Sequence, residues 1–274
     1  KTARFSTRLV VLQPKEYPLE ILLATTAGMK PYKPTKDPAN NANRNNNCRL
    51  SIGNSMRFQF VVCKVMQKEA YFCAARSKNI VDVVLMPQGL HQEPTKLRDE
   101  VQKALDRTTD LQNKPYDASL LGYGLCSNGI VGLSAKIPVV VPRGHDCITL
   151  LLGSKEKYQE YFDSHRGVYW FSPGWIETNN QPGKERYEQT LREYIEKYGE
   201  DNARYLMETE QGWMKEYQWA TYIDWGLGDS EKCREYTKRC AEFLSWNYDE
   251  LKGDSSLMQR LVDGRWDRSE VLIA

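Results

Sequence analysis

The chain has 274 residues, of which 41% are hydrophobic, enough to bury a large core in one or two domains. Its 38 basic and 36 acidic residues leave a net charge of +2, so no overall basic field favours nucleic acid. No apolar run approaches the roughly 20 residues that span a bilayer, so we expect neither a nucleic-acid partner nor a membrane.

Residues 1–56 differ in composition from the rest of the chain. Pro31, Pro34 and Pro38 interrupt them, and the stretch DPANNANRNNN is rich in Asn. Such a stretch has little apolar surface to bury and is typical of a flexible loop. We therefore predict an N-terminal extension with an Asn-rich loop over residues 1–56. Residues 57–274 are predicted to form an α/β domain that carries the candidate metal site described below.

From residue 57 onward, strand-like and helix-like patterns alternate. Short apolar, β-prone runs predict strands over 58–63, 80–86, 118–123 and 137–141. Helices are predicted between and after them, over 64–76, 94–107, 127–134 and 146–152. In the second of these, Leu97, Val101 and Leu105 form an apolar stripe at i, i+4 and i+8. Gly153 is expected to end the fourth helix, and Ser154 to cap the next one.

The chain after residue 167 is rich in aromatic residues. Strands are predicted over 168–171, 219–224 and 271–274, and helices over 185–197, 229–246 and 251–262. Repeated alternation of strands and helices is typical of an α/β fold. We therefore predict a mostly parallel sheet with helices on both faces, in Rossmann-like or flavodoxin-like layers, followed by an aromatic-rich C-terminal part.

The cysteine count bears on the compartment and on the chemistry. There are seven cysteines, an odd number in a chain that is not small, which argues against a secreted disulfide scaffold. The basic N-terminus contains only LVVL as an apolar core, too short for a secretory signal. We therefore expect a cytoplasmic protein with reduced thiols, in which metal binding or thiol chemistry is the open question.

Three cysteines and two histidines fall just after predicted strands. Cys63 ends the first strand, His91 follows the second, Cys126 follows the third, and His145 and Cys147 follow the fourth. The carboxyl ends of parallel strands share one edge of a sheet, where ligands bind at the topological switch point. The sequence therefore predicts that these residues gather at one site. The bland alternative is that the cysteines are ordinary core residues, since buried Cys behaves as a small hydrophobe.

The predicted position also suggests roles for the neighbouring residues. Asp146 is placed to cap the helix that Cys147 begins, and a helix N-terminus is expected to lower the pKa of a Cys thiol there. Arg143 could hold an anionic group of a substrate. His145 is a candidate fourth metal ligand or an acid/base, and His91 a ligand or a supporting partner. Arg143, His145 and Asp146 are thus the candidate catalytic residues.

The donor set narrows the choice of metal. Three soft thiolates with an imidazole suit tetrahedral zinc. Three cysteines from separate strand ends would equally suit a [4Fe–4S] cluster with one open iron. A catalytic zinc with an open position could hold a substrate thiol as thiolate or lower the pKa of bound water.

Five segments together resemble a prokaryotic family of unknown function that occurs in archaea and bacteria. They are VVCKVMQKEA, MPQGLHQEPTKLRDEVQKAL, LLGYGLCSNGIVGL, VPRGHDCITLLLGSKEKYQEYF and GVYWFSPGW. The hallmark of the family is Tyr-Gly-x-Cys followed by Pro-Arg-x-His-Asp-Cys, and residues 1–56 depart from its pattern. The resemblance implies a link with corrinoid-dependent methyltransferase systems. The positions that match are Cys63, His91, Cys126, Arg143, His145, Asp146 and Cys147.

Together these observations favour a zinc-dependent enzyme of small-molecule or one-carbon metabolism, transferring a methyl group to a thiol in its most concrete form. A small-molecule substrate is expected, and the resemblance implies a corrinoid protein as partner. One alternative is a [4Fe–4S] enzyme that uses the same three cysteines. Another is a non-enzymatic accessory module that binds a metal or a corrinoid protein. The last is an α/β domain whose cysteines bind no metal.

Overall fold

A computed structural model describes residues 7–8, 55–126 and 128–273 of the chain. Within them the first half alternates strands and helices, as predicted. In chain order its elements are β1 (Thr7–Arg8), β2 (Arg57–Cys63), α1 (Gln67–Arg76), β3 (Ile80–Met86), α2 (Pro94–Leu105), β4 (Ala118–Gly122), β5 (Ser134–Ala135), β6 (Val139–Pro142), α3 (Cys147–Leu152) and α4 (Lys155–Ser164).

The second half continues the alternation with a larger share of helix. Its elements are β7 (Val168–Phe171), α5 (Pro173–Thr178), α6 (Lys184–Tyr198), α7 (Glu200–Glu210), β8 (Trp219–Asp224), α8 (Ser230–Leu244), β9 (Asn247–Lys252), α9 (Ser256–Val262) and β10 (Val271–Ile273). No helix in the described ranges is both long and apolar enough to cross a membrane.

The larger sheet has five strands in the order β10-β6-β4-β2-β3. The three pairings between β6 and β3 are parallel, and β10 joins the edge antiparallel to β6. The first strand of the parallel set, β2, therefore lies between the second and the third. The chain runs from β2 to β3 on one side and then crosses to β4 on the other side of β2. The carboxyl edge between β2 and β4 is therefore the topological switch point.

Helices cover both faces of this sheet, as predicted. Alternate residues of a strand point to opposite faces. On one face the Gln59 side chain donates to the carbonyl of Ala104 in α2, at 3.0 Å. On the other, the Phe58 ring lies 5.5 Å from that of Trp266, just after α9. With both faces covered, β2 can be apolar almost throughout, and six of its seven residues are buried.

A second, three-stranded parallel sheet is formed by β7, β8 and β9 in that order. Its middle strand takes part in two cores. Tyr222 packs with Phe171 and Cys240 in a small core of its own, whereas Ile223 belongs to the core of the large sheet. The described residues therefore contain a mostly parallel α/β architecture, which confirms the predicted fold class, but divided into two sheets.

Two predicted elements are wrong. The helix expected over 127–134 is absent from the described residues 128–134, which form turns and then the first residue of β5. Asn128 at φ 63° and Gly132 at φ 85° have left-handed backbones that a right-handed helix cannot contain. The helix expected over 251–262 begins only at Ser256, because residues 247–252 form β9. The sequence NYDELK hid that strand, since an edge strand with half-exposed polar side chains lacks apolar alternation.

The predicted N-terminal extension over 1–56 lies outside the described residues, apart from 7–8 and 55–56. Thr7 and Arg8 pair antiparallel with β5. The predicted boundary between 1–56 and 57–274 stays a prediction.

Candidate functional site

Three cysteine thiols lie near one another at the carboxyl edge of the large sheet, beside the switch point. Cys63 is the last residue of β2, Cys126 lies four residues beyond β4, and Cys147 is the first residue of α3, after β6. Each thiol is within electrostatic range of the others, since the charge of Cys63 raises the pKa of Cys126, and both raise the pKa of Cys147. The parallel strand order thus brings together cysteines that are 63 and 21 positions apart in the sequence.

Backbone hydrogen bonds fix the loop that carries Cys126. Its N–H donates to the carbonyl of His145 at 3.1 Å, and the N–H of Leu125 donates to the carbonyl of Gly144 at 3.0 Å. Gly124 permits this close approach, because a Cβ there would lie 2.6 Å from the backbone nitrogen of Asp146. Cys126 itself has φ 44°, a left-handed conformation that costs energy for a residue with a side chain.

Backbone N–H groups interact with all three sulfurs, since the Cys147 N–H also contacts its own sulfur. The Val65 N–H hydrogen-bonds to the Cys63 sulfur, and the N–H groups of Gly124 and Cys147 hydrogen-bond to the Cys126 sulfur. These contacts lower the thiol pKa values, because an N–H dipole stabilises a thiolate. These N–H contacts are present although the three thiols are largely buried.

Burial nevertheless determines the net direction of the pKa shifts. It raises the pKa of Cys63, raises that of Cys126 to about 12 with help from the Asp146 charge, and raises that of Cys147 well above its usual range. The prediction that the helix N-terminus lowers the pKa of Cys147 is therefore wrong for the metal-free protein. Desolvation outweighs the dipole of a helix that is only six residues long.

The phenol of Tyr123 lies near all three thiols. Its ring is 3% exposed, and its hydroxyl is buried without a hydrogen-bond partner of ordinary geometry. Burial and the charges of Cys63, Cys126 and Cys147 raise the pKa of Tyr123 far above its usual range. The Tyr123 hydroxyl interacts with the Cys63 sulfur, and this contact lowers the pKa of Cys63. Because a thiol sulfur is a weak acceptor, a thiolate would satisfy the buried hydroxyl better than the thiol does.

Asp146 connects the cysteine cluster to the two histidines. Its Oδ1 accepts the N–H of Ile148 at 2.9 Å, which confirms the predicted helix cap. Its Oδ2 accepts from the Tyr158 hydroxyl at 3.3 Å and lies 3.4 Å from His145 Nδ1. The contact between Asp146 and His145 raises the pKa of His145. Burial lowers the pKa of His91, although the Asp146 charge opposes the shift and places His91 at the same site.

The two imidazoles differ in their surroundings. The His145 side chain is 60% exposed, and its ring stacks on Tyr158 with centroids 6.5 Å apart. The His91 ring is half-buried and meets Trp175 edge-on at 5.9 Å. The sequence could not rank them, whereas the structure gives His91 the lowered pKa and His145 the raised one.

Aromatic side chains from α4 and β7 form a wall beside the site. Tyr158 lies 5.9 Å from Trp170 and 6.0 Å from Phe162, and Tyr161 lies 5.3 Å from Trp170. Sequence reasoning did not assign Tyr158 to the site. The available signal was its spacing, since residues 154–158 follow the Cys147 helix through the tight Gly153 turn.

Arg143 forms hydrogen bonds to the segment before β10. Its Nε donates to the carbonyl of Arg268 at 2.9 Å, and its backbone N–H donates to the carbonyl of Glu270 at 2.7 Å. These bonds attach the segment before β10 to the edge of the large sheet. Binding of a substrate anion by Arg143 stays a prediction.

The donor set has the right chemistry for a soft metal but not a finished coordination geometry. Within the described part of the chain, no three side chains from His, Cys, Asp or Glu are grouped at metal-ligand positions. Metal binding would require the thiols to lose protons and their side chains to rotate towards one another. The remaining cysteines with described side chains are buried core residues, namely Cys73, Cys233 and Cys240, and Cys48 lies outside the described residues.

Comparison with known proteins places the chain in a family. No curated protein and no solved structure matches it. Residues 85–262, more than half of the chain, match the family model described as "Protein of unknown function (DUF1638)". The matched region contains His91, Cys126, His145 and Cys147, and it begins after Cys63. The chain therefore belongs to the DUF1638 family.

Proposed function

We propose that Cys63, Cys126 and Cys147 bind one zinc ion as thiolates, and that the protein is a zinc-dependent enzyme acting on a small molecule. The observation that carries this proposal is the Tyr123 hydroxyl, which is buried near the three thiols, interacts with the Cys63 sulfur and has no hydrogen bond of ordinary geometry. Ionisation of Cys63 on metal binding would strengthen its contact with this hydroxyl, since thiolate sulfur accepts hydrogen bonds more strongly than neutral thiol sulfur.

Zinc offsets the cost of ionising buried thiols. The three thiols are protonated near neutral pH because burial raises their pKa values. A bound divalent cation reverses this preference, since a coordinating thiol is deprotonated outright. The N–H groups of Val65, Gly124 and Cys147 then stabilise the sulfurs further. The set agrees with zinc sites that combine thiolates with a nitrogen ligand or an open position.

The two histidines are assigned different roles. Ligation needs a neutral imidazole, and the lowered pKa of His91 favours that form. We therefore assign His91 as the candidate fourth ligand of the zinc ion. His145 has a raised pKa and is exposed, which suits proton transfer to or from a bound substrate. Asp146 orients His145 through the contact at Nδ1.

The reaction proposed for this site is activation of a substrate thiol. A zinc ion supplies the means to hold a thiol as thiolate at neutral pH. Methyl transfer to that thiol, opposite a corrinoid protein, is the form suggested by the resemblance to proteins of corrinoid methyltransferase systems. His145 would take the thiol proton at the exposed mouth of the site, and the Tyr158–Trp170 wall would exclude water from one side.

The test is metal analysis of protein purified anaerobically without a His-tag. We expect about one zinc per chain in the wild type, loss of it in Cys126→Ser, and retention in Cys240→Ser. The last variant is the matched control, because Cys240 is equally buried but belongs to the small core. If the analysis finds iron with labile sulfide, the cysteines hold a [4Fe–4S] cluster and not zinc. A zinc that no small thiol can reach would favour an accessory role, and no metal at all would refute the site.

A further inference from the structure

A cavity opens at the same edge of the large sheet, next to residues that adjoin Cys63. It has a volume of about 550 Å³ and is lined by Lys64, Gln67, residues 85–88 and Thr178. This volume is within the range of small-molecule sites. Cys63 pairs in register with Met86, one of the lining residues, and neighbouring strands are about 4.8 Å apart. A molecule in the cavity would thus lie next to the cysteine cluster.

Three of the four polar side chains of this cavity have no partner within the described residues, whereas the Thr178 hydroxyl donates to the carbonyl of Gly174. Within the described residues, the ammonium of Lys64 forms no ion pair and no hydrogen bond, and the side-chain amides of Gln67 and Gln88 form no hydrogen bond. Nearby, the situation is different: Lys68, one helical turn further on, is paired with Glu177 of α5. The ion-pairing capacity of Lys68 is therefore used, whereas that of Lys64 is available.

The composition of the lining selects one kind of ligand. It contains one cation and two amide groups but no carboxylate, which favours a single negative charge. The amide NH2 groups can donate to the same anion. Leu85, Met86 and Pro87 supply an apolar wall next to these donors, which suits a short hydrocarbon segment.

We propose that this cavity binds a small organic monocarboxylate, with its carboxylate at Lys64 and its hydrocarbon part against residues 85–87. Anion binding here does not depend on the metal. That the carboxylate belongs to the substrate of the cysteine site rests on the proposed function. In that case the substrate is a thiol with a carboxylate a few carbon atoms away.

The first experiment measures binding to metal-free protein by saturation-transfer NMR, with butyrate as the probe. Acetate and inorganic phosphate serve as comparisons. Butyrate should bind more tightly than acetate, by about fourfold for each methylene that is fully buried. Lys64→Gln should weaken butyrate binding by at least about tenfold, the usual effect of removing a charged donor.

The matched control is Lys136→Gln, which removes the same charge from an exposed position before β6, at the opposite end of the strands. It should leave butyrate binding unchanged. Equal effects of Lys64→Gln and Lys136→Gln, or phosphate binding as tightly as butyrate, would overturn the proposal, since general electrostatic attraction would then explain the binding.

Two further measurements separate this proposal from the proposed metal site. Cys126→Ser should lose zinc and keep butyrate binding, whereas Lys64→Gln should keep zinc and lose butyrate binding. Lys64-dependent butyrate binding by a protein that never contains zinc would uphold the cavity and refute the metal site. A protein that contains zinc but binds butyrate without dependence on Lys64 would uphold the metal site and refute the cavity proposal.

Discussion

Glu69 offers the sharpest test of the fold, because it is a buried carboxyl group without a partner. It lies on α1, is 1% exposed, and neither carboxylate oxygen has a hydrogen bond. Burial raises its pKa from 4.5 to about 7, and the charge of Glu177 adds to the rise, against the opposing effects of its own backbone and of Lys68. Folding must therefore either protonate this group or bury its charge.

The size of the effect follows from linkage. A folded-state pKa above the unfolded value means that the folded protein binds more protons, so this group stabilises the fold most at low pH. The contribution decreases above about pH 4.5 and is fully lost once the pH exceeds about 7. The shift corresponds to a total of about 3 kcal/mol. Of this, about 2 to 3 kcal/mol lies between pH 5 and pH 8.

The substitution Glu69→Gln removes the titration and keeps the shape. We expect the free energy of unfolding of Glu69→Gln, relative to wild type, to rise by about 2 to 3 kcal/mol between pH 5 and pH 8. Urea denaturation with a chelator present, at both pH values, measures this difference and cancels the constant cost of the buried amide. Glu156→Gln is the control, because that side chain is 71% exposed and in contact with solvent. A difference of under about 0.5 kcal/mol for Glu69→Gln would refute the burial of Glu69.

Three further predictions concern the cysteine site. Tyr123→Phe removes a hydroxyl that has no hydrogen bond of ordinary geometry, so thermal denaturation should show little loss of stability, while zinc affinity in a competition assay should fall at least about tenfold. Unchanged zinc affinity would mean that the hydroxyl does not contact a ligand sulfur. Gly124→Ala places a Cβ 2.6 Å from the Asp146 nitrogen, so it should destabilise the protein by about 1 to 3 kcal/mol and weaken metal binding. Normal stability would contradict the close packing of the loop that carries Cys126 against the loop that carries Asp146. Because burial raises all three thiol pKa values, binding of one zinc at pH 7 should release about three protons into weakly buffered solution, and zinc affinity should rise steeply with pH; release of one proton or none would exclude three thiolate ligands.

The convergence of the three cysteines could be predicted because it depends on topology alone. Parallel strands present their carboxyl ends at one edge, so residues that follow β2, β4 and β6 must be near one another if those strands are neighbours. The order β6-β4-β2 meets that condition. The cap at Asp146 and the helix end at Gly153 were predictable for a related reason, since they depend only on local backbone chemistry.

Other features depend on packing that the sequence does not display. An aromatic residue in a strand can face a core or a site, so the role of Tyr123 depended on which way its hydroxyl points. The raised pKa of Cys147 results from burial by groups distant in the chain, which local reasoning about a helix N-terminus cannot include. The second sheet was missed as a separate unit because β7 and β8 have the same apolar pattern as the strands of the first.

The central claim, that three cysteine sulfurs bind one zinc, is tested most directly by X-ray absorption at the zinc edge of zinc-loaded protein. We expect three sulfur neighbours at about 2.3 Å and one nitrogen or oxygen neighbour at about 2.0 Å. Replacing Cys63, Cys126 or Cys147 singly by Ser should remove one sulfur each time or abolish binding. A zinc surrounded only by nitrogen and oxygen, or protein that retains no zinc after gel filtration, would contradict the claim.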